Sequence, residues 1–296
     1  MMTIYGTTPQ VVVNLILNGV RSGRYRAIKD ETYGRTVNRI KAIQIRYSSI
    51  LNRNWTFDHN KARFQENASK LRPVVLPKRT LKETPSDTVK SVDRTHRSDS
   101  SSPSPTGFAV LVPFCTINDI PCVLFTLRSS QLTKHRGEIS FPGGRAEQDD
   151  KSITTTALRE TEEEIGIRPS QVDVWSVLPN LPTRDRGGVL TPIVGHLGAV
   201  EKLEFIPNAS EVEQIFLCSL SHLCSPVNRG YTSFRSQPPL KIPVFRTGKT
   251  VDWKYQPSIW GMTAMILDSV LTCLLPELYK RNFHFVTHSL KVRPKT

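Results

Sequence analysis

The chain has 296 residues, of which 38% are hydrophobic and four are tryptophan, enough for one sizeable core in one or two domains. It carries 40 Lys and Arg against 26 Asp and Glu, but residues 1–106 alone hold 19 against eight; the basic excess belongs to the N-terminal third and gives the rest of the chain no reason to bind nucleic acid. No apolar run reaches the roughly 18–20 residues that cross a bilayer, and Cys115, Cys122, Cys218, Cys224 and Cys273 form no CxxC pair, which excludes a zinc ribbon and reads as reduced, mostly buried thiols of an intracellular protein.

Residues 1–50 hold eight Lys and Arg against only Asp30 and Glu31. The apolar run 11–16 is short and precedes its positive residues, the reverse of a secretory signal. The segment resembles a mitochondrial transit segment, which implies a mitochondrial rather than a cytoplasmic home; a basic tail with no address is the competing reading. Residues 60–71 have helical spacing through Phe64, Ala68 and Leu71, and Pro73 and Pro77 end the pattern. Residues 78–106 are Lys, Ser, Thr, Asp and Pro with almost no large apolar side chains, and predict a disordered linker. The expected organisation is a basic, largely disordered extension over 1–106, a folded domain over 107–276 and a tail over 277–296. Within the domain, 108–114 and 122–127 predict paired strands around the turn-like Asn118-Asp119. A short strand at 139–141 enters the turn Pro142-Gly143-Gly144. A helix follows over 152–165, stopped by Gly166. Further strands are predicted at 172–178, 191–197 and 215–217, and a long helix at 261–275 with Trp260 at its start, buried in the favoured reading and stacked directly on a ligand in the competing one. Strands and helices alternate irregularly, which favours an α+β fold over a regular βαβ series.

The helix over 152–165 carries the chemistry. Glu160, Glu163 and Glu164 are spaced i, i+3 and i+4, so their carboxylates share one face. Like charges at that spacing repel, and hard oxygen ligands at that density suit Mg2+ or Mn2+. Arg159 stands four residues before Glu163, where an ion pair along the helix can orient the acid. Glu162 points away from that face. The glycines at 143 and 144 let backbone come close to a metal or a phosphate.

Gly144 followed by Arg159-Glu160-Thr161-Glu162-Glu163-Glu164-Ile165-Gly166-Ile167 resembles the Nudix box, G-x5-E-x7-R-E-U-x-E-E-x-G-U, with Thr161 at the usually aliphatic position. The first half departs from it. The stretch from Gly144 to Arg159 is one residue longer, and Asp149 or Asp150 replaces the early Glu. Upstream, Leu124-Phe125-Thr126-Leu127-Arg128-Ser129, Leu132, His135, Gly137 and Ser140-Phe141-Pro142-Gly143-Gly144 resemble the coenzyme A pyrophosphatase branch of Nudix hydrolases, closest to its mitochondrial members. Asn208-Ala209-Ser210-Glu211-Val212, Gly230-Tyr231 and Trp260-Gly261-Met262-Thr263-Ala264 resemble the same branch. The likeness covers roughly residues 107–276.

The resemblance implies a Nudix fold, a central mixed β-sheet sandwiched between helices, and metal-dependent cleavage of a diphosphate. For coenzyme A or an acyl-CoA the products would be 3',5'-ADP and (acyl-)4'-phosphopantetheine. It implies Glu160 and Glu164 as primary metal ligands, Glu163 as holder of a further metal or its water shell, the Gly143 carbonyl as an extra ligand, and Arg159 as an orienting group. Arg128, His135 and Gly144 flank the substrate, with an internal ion pair the competing role for Arg128 and a packed neutral ring for His135. The proton acceptor is a box Glu or a later acid, Glu211 or Glu213; Glu211 equally suits a cap on the turn 208–210. Two other functions stay open: hydrolysis of ADP-ribose, NAD(H) or another nucleoside diphosphate derivative, and a non-catalytic domain that binds nucleotide or RNA.

Overall fold

A computed structural model describes residues 3–4, 13–16, 57–73, 107–183, 188–234, 240–247 and 257–281. The linker expected at 78–106 lies outside these residues, as do most of the transit-like segment and the tail beyond 281. The main sheet runs in the order β1 (Thr3–Ile4), β2 (Val13–Ile16), β10 (Val212–Ser219), β4 (Ile120–Arg128), β3 (Phe108–Ile117), β9 (Val189–Ala199), β7 (Asp173–Val177). Three short strands join it: β5 (Ile139–Ser140) on β4, β6 (Gly143–Arg145) on β3 and β8 (Leu181–Pro182) on β9. The sheet is mixed, with β3 parallel to β9 and antiparallel to β4. The β3–β4 hairpin turns on Asn118 and Asp119, whose φ angles of 47° and 61° are left-handed values that Asn and Asp tolerate best among side chains with a Cβ.

Near-continuous burial along β3 follows from covering both faces of the sheet. Leu111, Cys115 and Ile117 face one apolar layer, closed by Ala157 and Ile165 of α2 (Ile153–Ile165). Val112 and Phe114 face the other, where Phe125 stacks between Phe141 and Phe216. That second layer is closed by α4 (Gly261–Leu274) and by α1 (Phe57–Ala68). A short helix α3 (Leu220–Cys224) follows β10. A second sheet, β11 (Arg229–Phe234), β12 (Leu240–Arg246) and β13 (Ser258–Ile259), packs against α4.

Two features differ from the sequence-based expectation. The core reaches upstream of Gly107, because Phe64 of α1 is fully buried against Phe114 and Trp175. It also reaches past residue 276, because Tyr279 is buried and donates to the buried Asp268 at 2.7 Å. All five cysteines are free and buried, and burial holds their thiols protonated.

Candidate active site

The acidic helix α2 is capped at both ends by residues its sequence supplies. Ser152 Oγ accepts from the Thr155 N–H at 3.1 Å. Gly166 adopts φ 79° and donates its N–H to the Glu162 carbonyl at 2.9 Å. The segment before β10 then ties to the last carbonyls, with Ile206 N–H on Ile165 O and Asn208 N–H on Glu164 O, both at 3.0 Å. Thr161, the departure from an aliphatic residue, is buried and donates its hydroxyl to Ala157 O at 2.6 Å, so its polar atom is satisfied within the helix.

Glu164 is the deepest of the α2 acids, 2% exposed. Its Oε2 accepts from the Gly143 N–H at 3.3 Å and its Oε1 lies 3.8 Å from Arg128 Nη1. Burial pushes its pKa up to about 8; Arg128 and the Gly143 N–H oppose the rise, while the charges of Glu211 and Glu160 add to it. Glu160 is raised in the same direction, by burial first, then against Arg159 and with Glu163 and Glu211. The backbone of Gly144 packs so closely on the Glu160 carboxylate that a Cβ there would collide with it. Glycine at 144 thus lets the loop approach the Glu160 carboxylate, while glycine at 143, with φ 149°, lets it run against β3, where a Cβ would meet the Ala109 carbonyl and Val110.

Arg159 holds this face in register. Its guanidinium reaches Asp150 twice at 3.1 Å, Glu163 at 3.1 and 3.2 Å, Glu160 at 3.2 Å and the Arg145 carbonyl at 3.0 Å. Asp150 is buried, accepts further from Thr156 Oγ1 and the Glu147 N–H, and is held at about 2 by Arg159. Asp149 is exposed. Of the two neighbouring acids, Asp150 is therefore the one that takes the early Glu's place.

Glu160, Glu164, Gly143, Gly144, Arg128 and Arg159 come together. Glu163 is exposed on the rim, tied to Arg159, beside a groove of about 630 Å³ lined by Glu162, Arg168, Glu204 and Asn208. Arg128 forms the ion pair with Glu164 and keeps part of its side chain open to solvent. His135 is exposed, with φ 56° and Nδ1 3.1 Å from Glu138 Oε2. The later acids divide. Glu213 accepts from the Ser130 N–H at 3.2 Å, whereas Glu211 acts electrostatically on both Glu160 and Glu164. The turn 208–210 is capped by Asn208 Oδ1, which accepts from Ser210 N–H and Oγ, so Glu211 is not needed as its cap.

Among the described residues, no three His, Cys, Asp or Glu side chains are grouped closely enough to hold an ion by themselves. The donor chemistry nevertheless fits a hard divalent cation. Two carboxylates with raised pKa converge on a glycine backbone, and the cation nearest Glu164, Arg128, stays at 3.8 Å.

A family model for the NUDIX domain matches residues 106–235. The mitochondrial coenzyme A diphosphatase NUDT8 of Mus musculus is 38% identical over 179 residues, which span 60% of this chain and 81% of that protein. The chain belongs to the Nudix hydrolase family. Nudix hydrolase 3 of Caenorhabditis elegans is 34% identical over 193 residues, 62% of this chain and 79% of that protein. The peroxisomal coenzyme A diphosphatase NUDT7 of Mus musculus is 39% identical over 119 residues, 40% of this chain and 49% of that protein. In this Nudix hydrolase the box is α2 with its glycine loop, and the expected sandwich of a mixed sheet between helices is the fold observed.

Proposed function

We propose that this Nudix hydrolase cleaves the diphosphate of coenzyme A or an acyl-CoA, giving 3',5'-ADP and (acyl-)4'-phosphopantetheine. The observation that carries the reading is the 38% identity over 179 residues to an enzyme named a coenzyme A diphosphatase. The site supports it with acids for a cation and with Arg128, whose forked guanidinium suits a phosphate. Glu160 and Glu164 would hold a divalent ion, Mg2+ or Mn2+, with Glu163 and the Gly143 carbonyl as further ligands. Such an ion neutralises diphosphate charge and lowers the pKa of water. Arg159, fixed by Asp150, positions Glu160 and Glu163. Arg128, 3.8 Å from Glu164 and partly open to solvent, would meet a phosphate oxygen. Glu211 accepts the proton of the attacking water at its carboxylate. Gly144 keeps the loop wall thin beside the diphosphate, and His135 meets substrate only from the rim.

The test is turnover of coenzyme A, acetyl-CoA, ADP-ribose and NADH by the purified chain with Mg2+ or Mn2+, products resolved by chromatography. The expected product is 3',5'-ADP, with activity lost on chelation and in Glu164→Gln. No 3',5'-ADP from either CoA species overturns the substrate, and full activity in Glu164→Gln overturns the ligand set. We also infer a mitochondrial home, the compartment in the name of NUDT8, with the address upstream of α1; imaging a reporter fused to residues 1–56 checks it.

A further inference from the structure

Trp260 contradicts the expectation of a buried residue at the start of α4. It is 43% exposed, whereas Trp175 is buried in the core at 4%. Its backbone is nevertheless fixed on both sides. Ile259, just before it, is fully buried and pairs with Phe245 across β12 and β13. Gly261, just after it, takes φ 63°, which favours glycine, and opens α4. One turn on, Thr263 Oγ1 donates to the Ile139 carbonyl at 3.1 Å. Ile139 and Ser140 pair with Leu127 and Thr126, the residues that run into Arg128. The same segment continues through Phe141 and Pro142 to Gly143, whose N–H holds Glu164. An open indole therefore stands on a rigid mount at the part of the fold that carries Arg128 and the glycine loop.

We propose that Trp260 is the stacking platform for the planar base at the nucleoside end of the substrate, with the diphosphate running from there to Arg128 and the carboxylates. The choice of adenine rests on the coenzyme A reading; the stacking does not. An indole face recognises a π-system of similar shape and is tolerant of its hydrogen-bonding pattern. The other arm of coenzyme A is a flexible chain of amides, which needs donors and acceptors, and an indole offers a single N–H. A tryptophan whose backbone is already ordered loses little further freedom when a ring settles on it.

The test uses the full chain as Trp260→Ala and Trp260→Phe, folding checked by circular dichroism. It reads inhibition constants for 3',5'-ADP, 4'-phosphopantetheine and inorganic pyrophosphate, together with kcat and KM for coenzyme A. The expected result is that Trp260→Ala weakens 3',5'-ADP about tenfold or more and raises KM more than it lowers kcat. Pyrophosphate and 4'-phosphopantetheine stay within about twofold, and Trp260→Phe recovers most of the loss. Weakening of 4'-phosphopantetheine instead, or no change with any ligand, overturns the proposal. If no CoA species is turned over, calorimetry replaces inhibition. A Trp260-dependent affinity for 3',5'-ADP then sustains the stacking while the coenzyme A reading falls. Turnover of coenzyme A that Trp260→Ala leaves unaltered does the reverse: the stacking falls and the coenzyme A reading stands.

Discussion

Glu164 is an acid kept from water before any cation reaches it, and that has a pH signature. Its pKa rises from an ordinary 4.5 to about 8 in the folded chain, so the folded state binds its proton more tightly than the unfolded state. The metal-free protein should therefore lose stability as pH rises from about 4.5 to about 8, and Glu160 adds to the trend. A divalent cation holds the ionised form and should flatten the slope, with its largest stabilisation at the alkaline end. Asp150 works in the other direction: held at about 2, below its ordinary 3.8, it contributes stability that is lost only as pH falls between those values. Thermal unfolding of chelator-treated wild type and Glu164→Gln from pH 5 to 9 checks this. The wild type should fall relative to the variant as pH rises, and parallel curves would show that Glu164 is not the group responsible. The sequence placed Glu160, Glu163 and Glu164 on one face because helical spacing alone decides it. It left Asp149 and Asp150 undecided, because only the path of the loop determines which acid turns inward to Arg159 and Thr156.

The helix α2 shows what periodicity and caps make legible. Its ends, Ser152 and Gly166, were readable because each is the residue type that its cap geometry requires. The β3–β4 hairpin and α4 were readable for similar reasons. The strands β11 and β12 were not, since Gly230 and Pro243 interrupt the pattern and Tyr231 lies open to water. The two caps of α2 should also differ in consequence. Ser152→Ala removes one side-chain bond at the end away from Glu164 and should cost about 1 kcal/mol with activity largely kept. Gly166→Ala places a Cβ 2.8 Å from Ile206 Cβ and N at a φ of 79°. It should cost about 1–3 kcal/mol. It should also lower kcat severalfold, because Ile206 belongs to the segment that leads to Asn208 and Glu211. Denaturant titration and steady-state kinetics on both variants separate the effects; equal losses of activity would deny the C-terminal cap a part in positioning that segment.

For the molecule as a whole, the composition divides the chain at Gly107 because residues 78–106 lack large apolar side chains. A break in composition marks a linker but cannot say whether the helix before it docks. Here it does. Phe64 is fully buried, Lys61 reaches Asp173 at 2.7 Å, Gln65 donates to the Trp175 carbonyl at 2.8 Å and Asn67 to the Cys273 carbonyl at 2.9 Å. The other upstream elements, β1 and β2, only extend the sheet past β10, with β2 pairing β10 at Phe216, Leu217 and Cys218. Losing an edge strand leaves backbone groups that water can satisfy, whereas losing Phe64 opens the core beside Phe114 and Trp175, worth about 3–5 kcal/mol for one aromatic side chain. A cleaved address is thus compatible with the fold if the cut precedes Phe57, even though it removes Val13–Ile16. Deletion of residues 1–56 should leave a cooperative unfolding transition and coenzyme A turnover near that of the full chain. Deletion of residues 1–73 should lower Tm by more than about 10 °C or abolish folding, given about 2–4 °C per kcal/mol for a chain near this size. Calorimetry and activity on the two truncations decide it. Equal stability of the pair would mean that α1 is an ornament of the extension, and a collapse of the shorter deletion would make β2 part of the catalytic domain and remove it from any cleaved segment.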